Sequence, residues 1–292
     1  MAKGNDGNYL QHCVEVEAAV RLVQADRCGR LHVALTHGME PFEKLEESNV
    51  QQNLLYDALD EAFGEPKCTE REIVKAYRSA YRSSKASRQH YPNTAELLRK
   101  VIGTNRLSGG ITEVCQTKHK KLAEAWSDSN VEVAHSSWRK QLEAKGVLHC
   151  PDSLNAPWLF SMDPMRYSEG GRQDDDRLHR SDFSLLDNGL SPYFSSGQPG
   201  IACLFVYGMG RQNENPQRQF WAFMDDLARR MDATTGSYWV QHNGGNRNLA
   251  GLLFSDQELA WGFAPPRIRP GRGRKRTASG MQAESTRQGP KV

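Results

Sequence analysis

No stretch of this chain is apolar for the roughly 18 residues that a membrane helix needs, and the longest run lies near Ile201–Tyr207. The opening residues, Met1-Ala2-Lys3-Gly4-Asn5-Asp6, hold no h-region of a secretory signal. Cysteine is sparse: the six, at 13, 28, 68, 115, 150 and 203, form no CxxC pair and no Cys/His set at zinc spacing. A disulfide framework and a structural metal are therefore not expected, and a reduced cytoplasm is the expected setting. No Ser-His-Asp or Cys-His constellation can be assembled from spacing. The Gly208-Met209-Gly210 turn is too short for a phosphate loop, and no internal repeat is visible. Net charge is also low, at +3, but unevenly spread. From residue 264 onward eight Lys/Arg stand against one acid, and subtracting that +7 leaves about −4 for the remainder. The body is thus not coated in phosphate-binding residues. The Pro/Gly/Arg-rich tail over 264–292 is expected to be disordered, either binding nucleic acid through counterion release or merely solubilising the chain.

What is present is βα alternation. The 292 residues suit one large α/β domain with insertions, or two small domains. An apolar face over residues 8–23 predicts a helix, and Arg30–Leu35 a strand ending at Thr36-His37-Gly38. Helical stretches follow over about 50–63 and 69–87, and Asn93 or Thr94 is positioned to cap another running to Ile102. Strands are expected at Gly110–Val114, Val131–His135, Trp158–Met162, Ala202–Tyr207, Ser237–Gln241 and Leu249–Phe254. Helices fall between most of them, and an irregular insertion spans about 168–199. Such alternation argues for a mostly parallel sheet covered on both faces, with an antiparallel finish.

Two places carry chemistry. The apolar strand Trp158–Met162 runs straight into Asp163-Pro164, which sets a carboxylate at a strand's carboxyl end, where open α/β sheets bind ligands. Proline ends the ladder there, which turns the acid toward a crevice. The second place is the helical stretch in which Arg71, Lys75, Arg78, Arg82, Lys85 and Arg88 recur every three or four residues, interrupted only by Glu72. Their spacing gathers them on one face, with Tyr77 and Tyr81 adjoining. A single-sign stripe on a slightly acidic body suits a nucleic-acid edge, although solvated charged faces are also common.

The order of these elements, together with several local strings, resembles the RlmJ-type adenine-N6 methyltransferases of large-subunit ribosomal RNA. Gly4-Asn5-Asp6-Gly7-Asn8-Tyr9-Leu10-Gln11-His12 is similar to that family's GNxADVLKH, and Leu35-Thr36-His37-Gly38 to its DTHAG. Tyr91-Pro92-Asn93-Thr94 resembles YPGS, Thr112-Glu113-Val114 resembles TEL, and Asp163–Tyr167 sits where DPPY would be. The likeness runs collinearly over about residues 3–262. It implies a Rossmann-like class I S-adenosylmethionine-dependent methyltransferase fold, with a seven-stranded, mostly parallel sheet and a helical insertion at about 45–90. One domain would span 1–263. It further implies S-adenosylmethionine held by Asn5, His12, Thr36, His37, Gly38, Thr94, Glu113 and Ser136, with Glu113 on the ribose. Asp163 and Pro164 would orient an adenine amine, and Tyr167 would stack on the base. Lys75, Arg78, Arg82, Lys85 and Arg88 would bind nucleic acid, RNA rather than DNA, in keeping with a cytoplasmic role in rRNA processing.

The chain departs from that pattern at Asn8 and Gln11, where the family has an acid and a lysine. It departs again at Met39-Glu40 in the glycine turn, at Ser136-Ser137 in place of Asp-Gly, and at Met165 in place of a proline. Two readings follow: an active nucleic-acid methyltransferase, or a catalytically silent descendant that binds nucleic acid or a protein.

Overall fold

The computed structural model describes residues 6–44, 90–164, 166–169, 177–209, 214–241, 247–261 and 263. Helix α1 (Asp6–Ala25) leads into β1 (Leu31–Leu35). The short antiparallel strands β2 (Phe42–Lys44) and β3 (His90–Pro92) bracket the segment where the helical insertion is expected. The basic stripe at Lys75, Arg78, Arg82, Lys85 and Arg88 lies outside the described residues, as do Asn5 and the tail. Next come α2 (Thr94–Ile102), β4 (Leu107–Thr112), α3 (Gln116–Ala125), β5 (Asn130–Ala134), α4 (Trp138–Glu143) and β6 (Trp158–Met162). A small parallel pair, β7 (Arg166–Ser168) and β8 (Arg177–His179), precedes α5 (Phe183–Phe194). The chain then forms β9 (Gly200–Met209), α6 (Glu214–Met231), β10 (Thr234–Gln241), β11 (Arg247–Phe254) and α7 (Gln257–Ala260).

The main sheet has seven strands in the order β10-β11-β9-β6-β1-β4-β5. Strands β5, β4, β1, β6 and β9 run parallel, and β11 runs antiparallel to both neighbours. That order and direction define the Rossmann-like class I methyltransferase fold, as expected from the sequence. Its central strands are near-continuous apolar runs because both faces are covered. On β6 and β9, Leu159, Ile201, Cys203 and Phe205 join the core beneath α1, α2 and α3, while Trp158, Phe160, Ala202, Leu204 and Val206 join the core beneath α4, α5 and α6. The split follows the two-residue period of a strand.

Two expectations need correction. Strand β4 starts at Leu107 and ends at Thr112, earlier than expected, because Gly109-Gly110 lies inside the ladder and does not form a turn. A Cβ at Gly109 would fall 2.0 Å from the Val33 carbonyl oxygen, and one at Gly110 2.1 Å from that of Val147. The glycines therefore permit close backbone approach. Within the stretch expected to be irregular, α5 forms a helix that buries Leu186, Leu190 and Tyr193.

Candidate active site

Strand β1 lies between β4 and β6, and from it the sheet grows in opposite directions. This is the switch point, where the loops leaving parallel strands part to form a crevice. Three such loops meet here: Thr36–Pro41 after β1, Glu113–Cys115 after β4, and Asp163-Pro164 after β6. The first is stitched to both neighbours. Thr36 N–H donates to the Ser161 carbonyl (3.0 Å), and Gly38 N–H to the Thr112 carbonyl (2.7 Å). The Thr112 hydroxyl donates to the Thr36 carbonyl at 2.7 Å. Gly38 is packed so closely that a Cβ would lie 2.4 Å from Leu122 Cδ2 and 2.9 Å from Ile111 Cγ2.

The next residue, Met39, takes a left-handed backbone with φ 56°. For a side chain of that size this costs about 1–3 kcal/mol and persists only where the surroundings impose it. Glu113 and Asn93 do so. Met39 N–H donates to Glu113 Oε2 at 2.7 Å, and Asn93 Nδ2 donates to the Gly38 carbonyl at 2.6 Å. The other Glu113 oxygen accepts the Cys115 N–H at 2.7 Å. Glu40 pairs with Lys121 on α3 at 2.9 Å. A carboxylate offers about four lone-pair directions, so Glu113 keeps acceptor capacity for two ribose hydroxyls after taking two N–H bonds.

Beside that loop, α1 drives two polar side chains into the interior. Glu15 is 1% exposed. Its Oε1 accepts from the Ser161 hydroxyl on β6 and from Gln11 Nε2 at 3.3 Å. Its Oε2 accepts from Thr94 Oγ1 at 2.6 Å, at the first residue of α2. Tyr207, on β9, donates to Gln11 Oε1 at 3.0 Å. Burial pushes the Glu15 carboxyl up to about 8, and the Asp163 charge adds to that rise against the three hydrogen bonds. Asp163 is pushed up to about 7, again by burial, with the nearby polar groups of Tyr207 and Gln11 opposing the rise. Asp163 as a residue is partly exposed, but its Oδ1 is enclosed and has no hydrogen-bond partner among the described residues. A buried acceptor of that kind costs free energy unless a donor arrives.

The structure brings Thr36, His37, Gly38, Thr94, Glu113, Asp163 and Pro164 to the carboxyl side of the sheet. His37 Nδ1 is 2.6 Å from the Thr36 hydroxyl. His12, on α1, is buried, and desolvation lowers its pKa to about 4, so its ring is neutral. Ser136 follows β5 and turns its hydroxyl to the Ser137 carbonyl at 3.4 Å. Ser137 in turn caps α4 by accepting from Lys140 N–H. Tyr167 departs from expectation. It is buried in the core beneath α6, with its ring 5.8 Å from Phe220 and 5.5 Å from Phe223 and its hydroxyl donating to Glu169 at 2.7 Å. Tyr167 lies within strand β7, and its ring packs into that core.

Glu15, Ser161 and Tyr207 went unremarked in the sequence. Glu15 did leave a signal, as an acid set within the apolar face of a helix. No cluster of three or more His, Cys, Asp or Glu suited to a metal occurs among the described residues. None of the described helices is long and apolar enough to cross a membrane.

No family model matches the chain, and no curated protein matches it. Among solved structures, it is similar to the Legionella pneumophila protein LPL1258, of family model DUF519, with TM-score 0.59 and 14% identity, covering 86% of this chain and 85% of that one. A candidate rRNA methylase of Clostridium thermocellum matches over 54% of this chain and 80% of its own at 10% identity. Its TM-score of 0.32 is too low to carry an argument. At these identities the likeness concerns the fold alone.

Proposed function

We propose that this methyltransferase-fold chain is an S-adenosylmethionine-dependent enzyme that methylates nucleic acid, with the N6 amine of an RNA adenine as acceptor. The observation that carries the reading is Asp163, partly exposed at the end of β6 across the switch point from Glu113, whose Oδ1 has no hydrogen-bond partner among the described residues. An exocyclic amine supplies the missing N–H. Its second N–H suits the Pro164 carbonyl, and two such bonds aim the nitrogen lone pair, so the protein contributes mainly positioning. An adenine reaches this depth by leaving its stack. On the cofactor side, Glu113 would accept the ribose hydroxyls, while the Thr36–Gly38 turn, with His12, Thr94 and Ser136, frames the remainder. The bound cofactor supplies an electrophilic methyl group on a sulfonium. The RNA partner rests on the basic stripe and tail, both outside the described residues.

A second reading is a silent binding module. The burial of Tyr167 favours it, because the expected stacking ring is occupied by Phe220 and Phe223. Calorimetric titration of the full chain with S-adenosylmethionine separates the two. The enzyme reading requires binding, and no heat at millimolar ligand overturns it. With binding in hand, Asp163→Ala should cut transfer to RNA by roughly 100-fold or more while cofactor affinity holds within a few-fold. Equal loss of both would place Asp163 on the cofactor.

A further inference from the structure

Glu15 is a buried acid that the chemistry above leaves unused. We propose that Glu15 is a positioning residue: with Asp163 it forms a coupled carboxyl pair that retains a single proton, kept on Glu15 in the interior, so that Asp163 alone presents negative charge to the acceptor. The proposal rests on the reading of Asp163 as the acceptor-orienting group and deepens it.

The arrangement brings three elements to one side chain. Glu15 on α1 is gripped by the Ser161 hydroxyl of β6, by Thr94 at the start of α2, and by Gln11 one turn back on its own helix. Ser161, on β6, lies two residues before Asp163, which follows the end of that strand. The other groups around the pair are Tyr207, whose hydroxyl bonds Gln11, and the Cys203 thiol, both on β9, with His12 one residue beyond Gln11. Burial keeps that thiol protonated and that imidazole neutral. Like charges in such an interior do not both ionise readily, so the pair loses its protons in two separated steps. Burial keeps the proton on Glu15, and the charge of Asp163, the more acidic of the two, adds to that hold once Asp163 has ionised. An apolar residue in place of Glu15 would strand the donors of Ser161, Thr94 and Gln11, and an ionised one would repel Asp163.

Infrared difference spectroscopy of the full chain, without cofactor or RNA, follows the carboxylic-acid carbonyl band as pH rises. Wild type should lose it in two steps, near 7 and near 8. Glu15→Gln should abolish the upper step and keep the lower. Asp163→Asn should shift the remaining step to lower pH, since the neighbouring charge is gone. An upper step that survives in Glu15→Gln, or an unshifted one in Asp163→Asn, overturns the pair. Should Glu15→Gln not fold, the Asp163→Asn shift decides alone. Where transfer is measurable, wild-type activity should fall above about pH 8 and Glu15→Gln should lose that fall. A fall kept in the variant contradicts the positioning role. The titration needs no turnover, so its failure is distinct from failure of the methyltransferase reading.

Discussion

Gly38 shows how much of the site depends on one missing methyl group. It sits between the β4 end and the core, with Leu122 and Ile111 within reach of any Cβ, and its carbonyl receives the Asn93 amide. Gly38→Ala should therefore cost about 1–3 kcal/mol through overpacking of a well-filled core. In a domain of this size that lowers Tm by roughly 2–4 °C per kcal/mol. A thermal melt checks it, and an unchanged Tm would mean that the turn does not pack against Leu122. At this scale the sequence was partly legible. Glu113 and Asp163 stand out in the sequence as acids at the carboxyl ends of strands, where open sheets bind ligands. Glu15 does not, because its meaning comes from Thr94 and Ser161, 79 and 146 residues away. Tyr167 misled for the converse reason: an aromatic after Asp-Pro reads as a stacking ring, and only the position of α6 shows which neighbours claim it.

Among the elements, α2 illustrates a signal read correctly but incompletely. The sequence offers Asn93 or Thr94 as the N-cap, and it is Asn93 whose Oδ1 accepts the Glu96 N–H at 2.7 Å. Its Nδ2 has a second task, holding the Gly38 carbonyl, which no local pattern reveals. The two tasks can be separated by mutation. Asn93→Asp keeps the cap acceptor and loses the amide donor, whereas Asn93→Ala loses both. We expect Asn93→Ala to cost about 2–3 kcal/mol, roughly one from the cap and the rest from the unpaired Gly38 carbonyl. In denaturant unfolding Asn93→Asp should be no more stable than Asn93→Ala, because a carboxylate oxygen would replace the amide that now reaches the Gly38 carbonyl at 2.6 Å and would repel it. An Asn93→Asp variant clearly more stable than Asn93→Ala would assign the effect to the cap. Helix α5 escaped the sequence reading because Gly189, Ser191 and Pro192 are poor helix formers. Tertiary packing overrides that preference: Trp158 lies 5.1 Å from Tyr193 and 4.9 Å from Phe194.

At the scale of the molecule, four titratable groups among the described residues set opposing pH demands. Burial lowers His12 and His32 to about 4 and raises Asp163 to about 7 and Glu15 to about 8. His32 is held neutral beside the Tyr193 hydroxyl at 3.2 Å, which itself donates to the Leu148 carbonyl, so Nε2 carries the proton. For the histidines the unfolded chain binds protons more readily. Their contribution is complete above the ordinary value of 6.5 and is lost as pH falls toward 4. For the carboxyls the folded chain binds protons more readily. Their contribution is complete below the ordinary acid range and is lost as pH rises through 7 and 8. Between about pH 4.5 and 6.5 the two effects oppose each other, one pair against the other, so these groups together predict a plateau. Above 6.5 only the carboxyls remain, and stability should drop by on the order of 3 kcal/mol by pH 8. Glu15→Gln removes one of the two opposing acids. Its stability should then rise from pH 4.5 to 6.5, where wild type is flat, and should lose much of the decline above neutrality. Urea unfolding across that range tests the balance. A variant that stays flat below 6.5 and still declines above it would show that Glu15 ionises like an exposed carboxylate, and that the interior around Ser161 and Thr94 is wet.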